Sequence, residues 1–282
     1  MSRLIVNADD LGLTAGVNRA ILELHRAGCV TSATLLARAA ATDEAVEIAR
    51  TTPSLDVGCH VVLADGDSAL PRREIPSLVN EATGRFQPTL GAFLKRLLAG
   101  RIGSSEIEAE AGAQIALLQG KGVALTHIDT HKHAHMFPGV LRPVLRAARA
   151  AGIHRVRNPF EPAWSLRATP RAPWLRRAEV GLLRRFEPAF RRIVAEEGFA
   201  TTDGAIGVLA TGTLDSAAFN SLLRGIPPGI WELVTHPGYN DSDLATAGTR
   251  LVASREIERE ALASMDWGDE IELIGFSHLR NG

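Results

Sequence analysis

Arg3-Leu4-Ile5-Val6-Asn7-Ala8-Asp9-Asp10-Leu11-Gly12 is the stretch from which the fold can be read. A strand over Leu4 to Asn7 runs into the acid pair Asp9-Asp10, turns at Leu11-Gly12, and gives way to a helix that opens near Thr14. That helix covers Val17 to Arg26 and stops at Gly28, a usual residue just past a last turn. The rest of the chain repeats this unit. Further strands are expected at Val30 to Leu35, Leu55 to Val62, Ala124 to Asp129, His154 to Arg157, Ala205 to Leu209, Ile230 to Thr235 and Ile271 to Ile274. Helices are expected at Asp43 to Arg50, Ser105 to Gln119 ending at Gly120, Val140 to Ala151 ending at Gly152, and Ser254 to Met265. Such alternation implies an α/β protein, with mainly parallel strands and outer helices. Eight strand candidates suggest an irregular (β/α) barrel resembling a TIM barrel, with an open doubly wound sheet as the alternative. Two inserts break the rhythm, Ala64 to Pro88 and Asn158 to Pro173, and are expected to be lids, substrate-binding loops or plain surface excursions.

The chain has 282 residues and 45% hydrophobic content, enough to bury a large core as a single domain over residues 1–282. Lys plus Arg number 31 against 32 Asp plus Glu, a balance that makes no case for nucleic acid as a partner. Cys29 and Cys59 are the only cysteines and read as buried thiols in a reducing cytoplasm. No run approaches the ~18 apolar residues of a membrane span, and the N-terminus lacks an apolar leader with a cleavage site.

Chemistry is concentrated in Thr126-His127-Ile128-Asp129-Thr130-His131-Lys132-His133-Ala134-His135, which holds four of the nine histidines. In an extended segment His127, Asp129, His131, His133 and His135 would share one face. Alternate residues lie roughly 6.6 Å apart, whereas ligands sit only about 2 Å from a metal. Few of the five can therefore hold the same ion, and other ligands must come from elsewhere. Asp9-Asp10 stands at a strand's carboxyl end, where α/β architectures bind ligands, although an Asx turn or helix cap would use the same residues. His60 lies in an apolar strand beside Gly58, and His236 closes another strand before Pro237-Gly238. Arg157 closes a fourth, either as an exposed charge or as a group that orients Asp9 or binds substrate. Five strand ends thus carry polar groups suited to one metal-centred site with a coordination position left for water.

At these residues the chain resembles the YdjC-like carbohydrate deacetylases, a family that includes chitooligosaccharide and hopanoid-associated deacetylases. Asn7-Ala8-Asp9-Asp10-Leu11-Gly12 is similar to the family's opening motif, with Leu11 in place of the usual phenylalanine. Gly58-Cys59-His60-Val61-Val62-Leu63, Thr126 to Pro138, and Thr235-His236-Pro237-Gly238 are similar to its later motifs, in the family's order. Lys132 interrupts a run that is often consecutive histidines. The resemblance implies an irregular β/α barrel and metal-dependent removal of an N-acetyl group from a sugar. It also implies Asp10, His60 and His131 as metal ligands, Asp9 as base and His236 as the acid that protonates the departing amine. His127, Asp129, His133, His135 and Arg157 are then groups that orient the ligands or bind substrate. Zinc is the expected ion, with magnesium, nickel, cobalt and manganese as alternatives. Another metal-dependent amide or ester hydrolase would use the same ligands, whereas the intact Asp9, Asp10, His60, His131 and His236 argue against a non-catalytic sugar- or lipid-binding protein.

Between Arg142 and Arg192 there are thirteen arginines, no lysine and three glutamates. Within that span residues 173–193 read as one basic amphipathic helix, with Leu175, Leu182, Phe186, Phe190 and Ile193 on its apolar side. It is expected either to pack on the barrel or to lie on an anionic membrane surface, placing the protein at the inner face of the membrane. Together with a likeness of Leu55 to Phe86 to hopanoid-type members, this allows a glycolipid as well as an oligosaccharide substrate.

Overall fold

The first βα unit forms as its sequence indicates. Thr14 caps the helix, its hydroxyl accepting from the Val17 N–H, and Val17, Ala20, Ile21 and Leu24 fill the inward face. Burying each large aliphatic side chain contributes about 1.5–3 kcal/mol. Gly28 adopts φ +77°, the left-handed conformation that ends a helix at little cost in glycine.

The computed structural model describes residues 1–169 and 172–280. Along the chain come β1 (Ser2–Leu11), α1 (Ala15–Arg26), β2 (Ser32–Leu35), α2 (Thr42–Thr51), β3 (Asp56–Val61), α3 (Leu90–Leu98), α4 (Ser104–Gly120) and β4 (Leu125–Thr130). They are followed by α5 (Pro138–Ala150), α6 (Ala163–Ala168), α7 (Trp174–Leu183), α8 (Glu187–Glu196), β5 (Gly204–Ile206) and α9 (Ser216–Leu223). The last elements are β6 (Gly229–Thr235), α10 (Ser242–Thr246), α11 (Ala253–Ala263) and β7 (Ile271–Leu273).

All strand pairs are parallel, in the order β4-β3-β2-β1-β6-β5, with β7 beside the first residues of β1. The α/β class and the irregular barrel are borne out, but the regular ladder stays open between β4 and β5. Expected strand His154 to Arg157 lies in that opening and makes only single bridges, Val156 to Ile128 and Arg155 to Ala200. It runs straight into Asn158-Pro159, and proline has no N–H with which to extend a ladder.

Other boundaries also shift. β1 is ten residues long and carries the acid pair within it, through an irregular register with β2 between Ala8 and Leu11. β5 stops before Gly207, which turns at φ +85°. α4 includes Gly120, and Gly122 supplies the left-handed stop instead. The basic segment 173–193 is not one helix: α7 and α8 are separated by a 3-10 turn at Arg184–Phe186, just before Pro188. Phe190 and Ile193 are buried, while Leu175 and Leu182 remain exposed.

Neither insert is loose. Ile75 and Leu78 of the first are buried, and Glu110 of α4 accepts the N–H groups of Ala69 and Leu70 at 2.7 and 3.0 Å. The second contains α6 and is anchored by Glu161, which accepts from Ser165 Oγ and Leu209 N. Pro170 and Arg171 fall outside the described residues. Cys29 and Cys59 are both buried and unpaired, as expected.

Gly58 shows why close backbone approach matters here. A Cβ at this position would lie 2.5–2.6 Å from the ring of His127 on neighbouring β4. That ring cannot retreat, because it stacks on Phe276 with centroids 3.7 Å apart. Gly58→Ala is therefore expected to destabilise the fold by roughly 1–3 kcal/mol, the usual cost of overpacking. A lower denaturant midpoint at unchanged slope is the expected reading; an unchanged midpoint would contradict the rigidity of this contact.

Candidate active site

The carboxyl ends of the strands open into a cleft of about 1410 Å³, lined among others by Asp9, Asp10, His60, His131, His133 and His236. β1 delivers both acids. Successive strand residues normally face opposite ways, but Asp10 has φ +67° within the irregular register, and both carboxylates reach the cleft.

Asp10 Oδ2 accepts from Arg255 Nη2 at 2.5 Å, which leaves Oδ1 directed to two imidazoles. That oxygen is 3.6 Å from His60 Nε2 and 3.5 Å from His131 Nδ1, and the two nitrogens are 3.3 Å apart. Four-coordinate zinc with bonds of about 2.0–2.1 Å separates its ligand atoms by about 3.3–3.4 Å, the edge of such a tetrahedron. The triangle fits a divalent ion with little adjustment. His60 Nδ1 donates to Asp129 Oδ1 at 2.7 Å, which turns the Nε2 lone pair toward Asp10 and His131. His131 begins the turn after β4 and is the most open of the three, with 26% of its side chain exposed.

Asp9 is clamped. Arg157 Nη1 and Nη2 meet its two oxygens at 2.8 and 2.5 Å, and Asn7 and Thr34 donate to Oδ1 at 2.9 and 3.1 Å. Arg157 is fully buried, not an exposed strand-end charge, and lies behind Asp9 where it orients the carboxylate. It also pairs ionically with Asp129 Oδ2 at 2.5 Å, off the N–H axis, and donates from Nε to Glu232 at 2.7 Å. His236 directly follows β6, which adjoins β1 in register Thr235 to Ala8, so its Nε2 comes within 3.7 Å of Asp9 Oδ2. The acid candidate therefore neighbours Asp9. Its backbone N–H is held by Glu258 at 2.7 Å.

Electrostatics separates these groups. Burial raises the Asp9 and Asp10 carboxyls, but Arg157 beside one and Arg255 beside the other hold both well below the usual range. Burial lowers the His236 ring to about 4 despite both carboxylates. It lowers His60 as well, but Asp129, Asp9 and Asp10 outweigh it and lift that ring to about 9 when no cation competes. Burial drives His127 and His133 to about 3 and His135 to about 4, so these are neutral imidazoles.

The expected row of five on one face does not form. β4 ends at Thr130, and Lys132 and His133 take φ of +57° and +54°, which wraps the remainder into a 3-10 turn. His131 and His133 reach the cleft. His127 lies deeper, stacked on Phe276, and His135 bridges Thr130 Oγ1 and the Arg157 carbonyl at 2.8 and 3.1 Å. Arg255, Glu232, Thr34 and Asn7 escaped sequence reasoning. Glu232 and Asn7 did leave a signal as lone polar residues inside apolar strands, whereas Arg255 looked like any arginine of an outer helix.

The profile of the family described as YdjC-like protein matches residues 3–272. A carbohydrate deacetylase of Brevibacillus brevis is 30% identical over 288 residues, covering 98% of this chain and 99% of that one. The Homo sapiens carbohydrate deacetylase is 32% identical over 249 residues, covering 84% and 75%. Among solved structures, a putative cellobiose-phosphate cleavage protein from Enterococcus faecalis superimposes with a TM-score of 0.76 at 26% identity, covering 98% and 97%. The motif resemblance is borne out along nearly the whole length, and the chain belongs to the YdjC-like family.

Proposed function

We propose that this protein is a metal-dependent hydrolase that removes the acetyl group from an N-acetylated amino sugar. The observation that carries the reading is the convergence of Asp10 Oδ1, His60 Nε2 and His131 Nδ1 beside an arginine-clamped Asp9, in a chain whose curated relatives are named carbohydrate deacetylases. A divalent ion there, zinc ahead of magnesium, nickel, cobalt and manganese, would polarise the acetyl carbonyl and acidify the attacking water.

The side chains then have one proton to move, from water to the departing nitrogen. Asp9 Oδ1 is saturated by Asn7, Thr34 and Arg157, so Oδ2 keeps the free lone pair and takes the proton. His236 Nε2 lies 3.7 Å from Asp9 Oδ2, so a small movement of the ring brings it to receive that proton. His236 gives it to the amine nitrogen as the C–N bond breaks, leaving acetic acid to ionise and the imidazole neutral again. Arg157 keeps Asp9 oriented throughout, and Arg255 keeps Asp10 Oδ1 facing the imidazoles.

The cleft exceeds the roughly 300–1,000 Å³ of ordinary small-molecule sites, which supports an extended substrate, either an oligosaccharide or a glycolipid, hopanoid-linked ones included. Leu90, Leu94, Val180, Leu182 and Leu183 on its wall favour a substrate with an apolar part. Two buried, unpaired cysteines support a cytoplasmic location.

His236→Ala tests the proton path. It is expected to retain metal yet lose N-deacetylation by about 10²–10⁴-fold, the usual contribution of acid–base catalysis, while an activated acetyl ester, whose leaving group needs no proton, is hydrolysed with much less loss. Comparing kcat/KM on the two substrates decides it. Equal losses would assign His236 to positioning instead.

A further inference from the structure

We propose that the outer face of α7 is a docking surface for a bilayer that contains anionic lipid. The helix is held inward by buried Val180, by half-buried Leu183, and by Arg177, which donates to the carbonyls of Leu166, Thr169 and Ala172 at 2.5, 2.6 and 3.4 Å. Its other face has no protein partner among the described residues. Trp174, Leu175 and Leu182 are 74%, 63% and 55% exposed, three of the seven large exposed hydrophobics among the described residues. With Ala178 and Gly181 they occupy positions i, i+1, i+4, i+7 and i+8, a continuous stripe along one side of a helix.

Charge and geometry select the occupant. Residues 172–186 contain four arginines and one glutamate. Arg185 extends the stripe by one turn, and Arg167 ends α6, against which Arg177 pins α7; both are exposed and have no ion pair among the described residues. A second copy seated on the same stripe about a two-fold axis would set arginine against arginine. Anionic head groups would receive those charges. A tryptophan at the end of the stripe suits the head-group level, where an amphipathic ring is at home. Ten residues span only about 15 Å, half the hydrocarbon thickness, so the helix lies in the plane of the interface. Leu182 and Arg184 also border the cleft, so docking on this face brings the cleft mouth to the lipid surface. The inference does not depend on the reaction performed inside.

Co-sedimentation of the full chain with vesicles tests it. Binding to equimolar phosphatidylglycerol and phosphatidylcholine is expected to be at least about tenfold tighter than to phosphatidylcholine alone, and to weaken with salt. The Trp174→Ser/Leu175→Ser variant is expected to bind the anionic vesicles at least about tenfold more weakly with an unchanged melting temperature, because both side chains are exposed. Arg185→Glu, which removes no apolar contact, is expected to weaken anionic binding alone. Failure of the wild type to sediment with anionic vesicles would overturn the proposal. So would undiminished binding by the serine variant, or a solution dimer that the variant dissociates in a protein that binds no vesicle.

Discussion

Replacing His60 or His131 with alanine is expected to empty the metal site and abolish acetate release. Each removes one corner of the triangle whose edges measure 3.3, 3.5 and 3.6 Å. Loss of a residue that merely supports a ligand costs about 10–100-fold in metal affinity, so loss of a ligand should cost more. The two variants differ in one respect. His60→Ala also removes the 2.7 Å donor to buried Asp129 and should lower thermal stability, whereas His131, 26% exposed, makes only the longer 3.5 Å contact with Asp10. Elemental analysis after exhaustive dialysis reads the metal directly. Wild-type metal content in both variants would refute the ligand set, whatever their activity.

The second large effect is structural. Arg157→Met should destabilise the protein by about 3–5 kcal/mol, the cost of leaving buried charges uncompensated, and lower the melting temperature by on the order of 10 °C. Asp9 and Asp129 would lose their common cation, and buried Glu232, already raised to about 8, would lose its only hydrogen-bond donor among the described residues. The pH dependence has a definite sign. Arg157 depresses the Asp9 and Asp129 carboxyls, so its stabilisation is present above the unfolded value of about 3.9 and is lost as the pH falls through the lower folded values. The gap between wild type and variant should therefore be widest near neutrality and narrow in acid. An equal gap at pH 2, below the unfolded value, and at pH 7 would contradict the ionic account and point to lost packing.

The parts of the molecule that the sequence reveals are those governed by local pattern. Strand β1, helix α1 and the glycine stops are written in neighbouring residues, and the strand-end position of Asp10, His60 and His236 follows from the same alternation. What escaped depends on distant partners. Residues 154–157 look like any short strand, but their bridging partners Ile128 and Ala200 each supply one contact and no ladder. The histidine row was misjudged because two consecutive residues, Lys132 and His133, adopt positive φ, a conformation that non-glycine residues rarely take. For Arg157 burial statistics alone favour the surface over the role of orienting Asp9; three carboxylates from β1, β4 and β6 make its burial tolerable, and no local window contains them. In the basic segment the spacing was right and the environment changed partway, from solvent at Leu175 and Leu182 to core at Phe190 and Ile193.

The central claim is metal-dependent hydrolysis of a sugar N-acetyl group. Its most direct test is release of acetate from a panel of N-acetylated sugars, oligosaccharides and glycolipids by chelator-stripped protein, measured before and after addition of one equivalent of zinc. The expected result is acetate and free amine in equal amounts from at least one panel member after zinc is added, and a rate near background before. Undiminished release by the stripped protein, or none from any member by folded protein with zinc bound, would contradict the account.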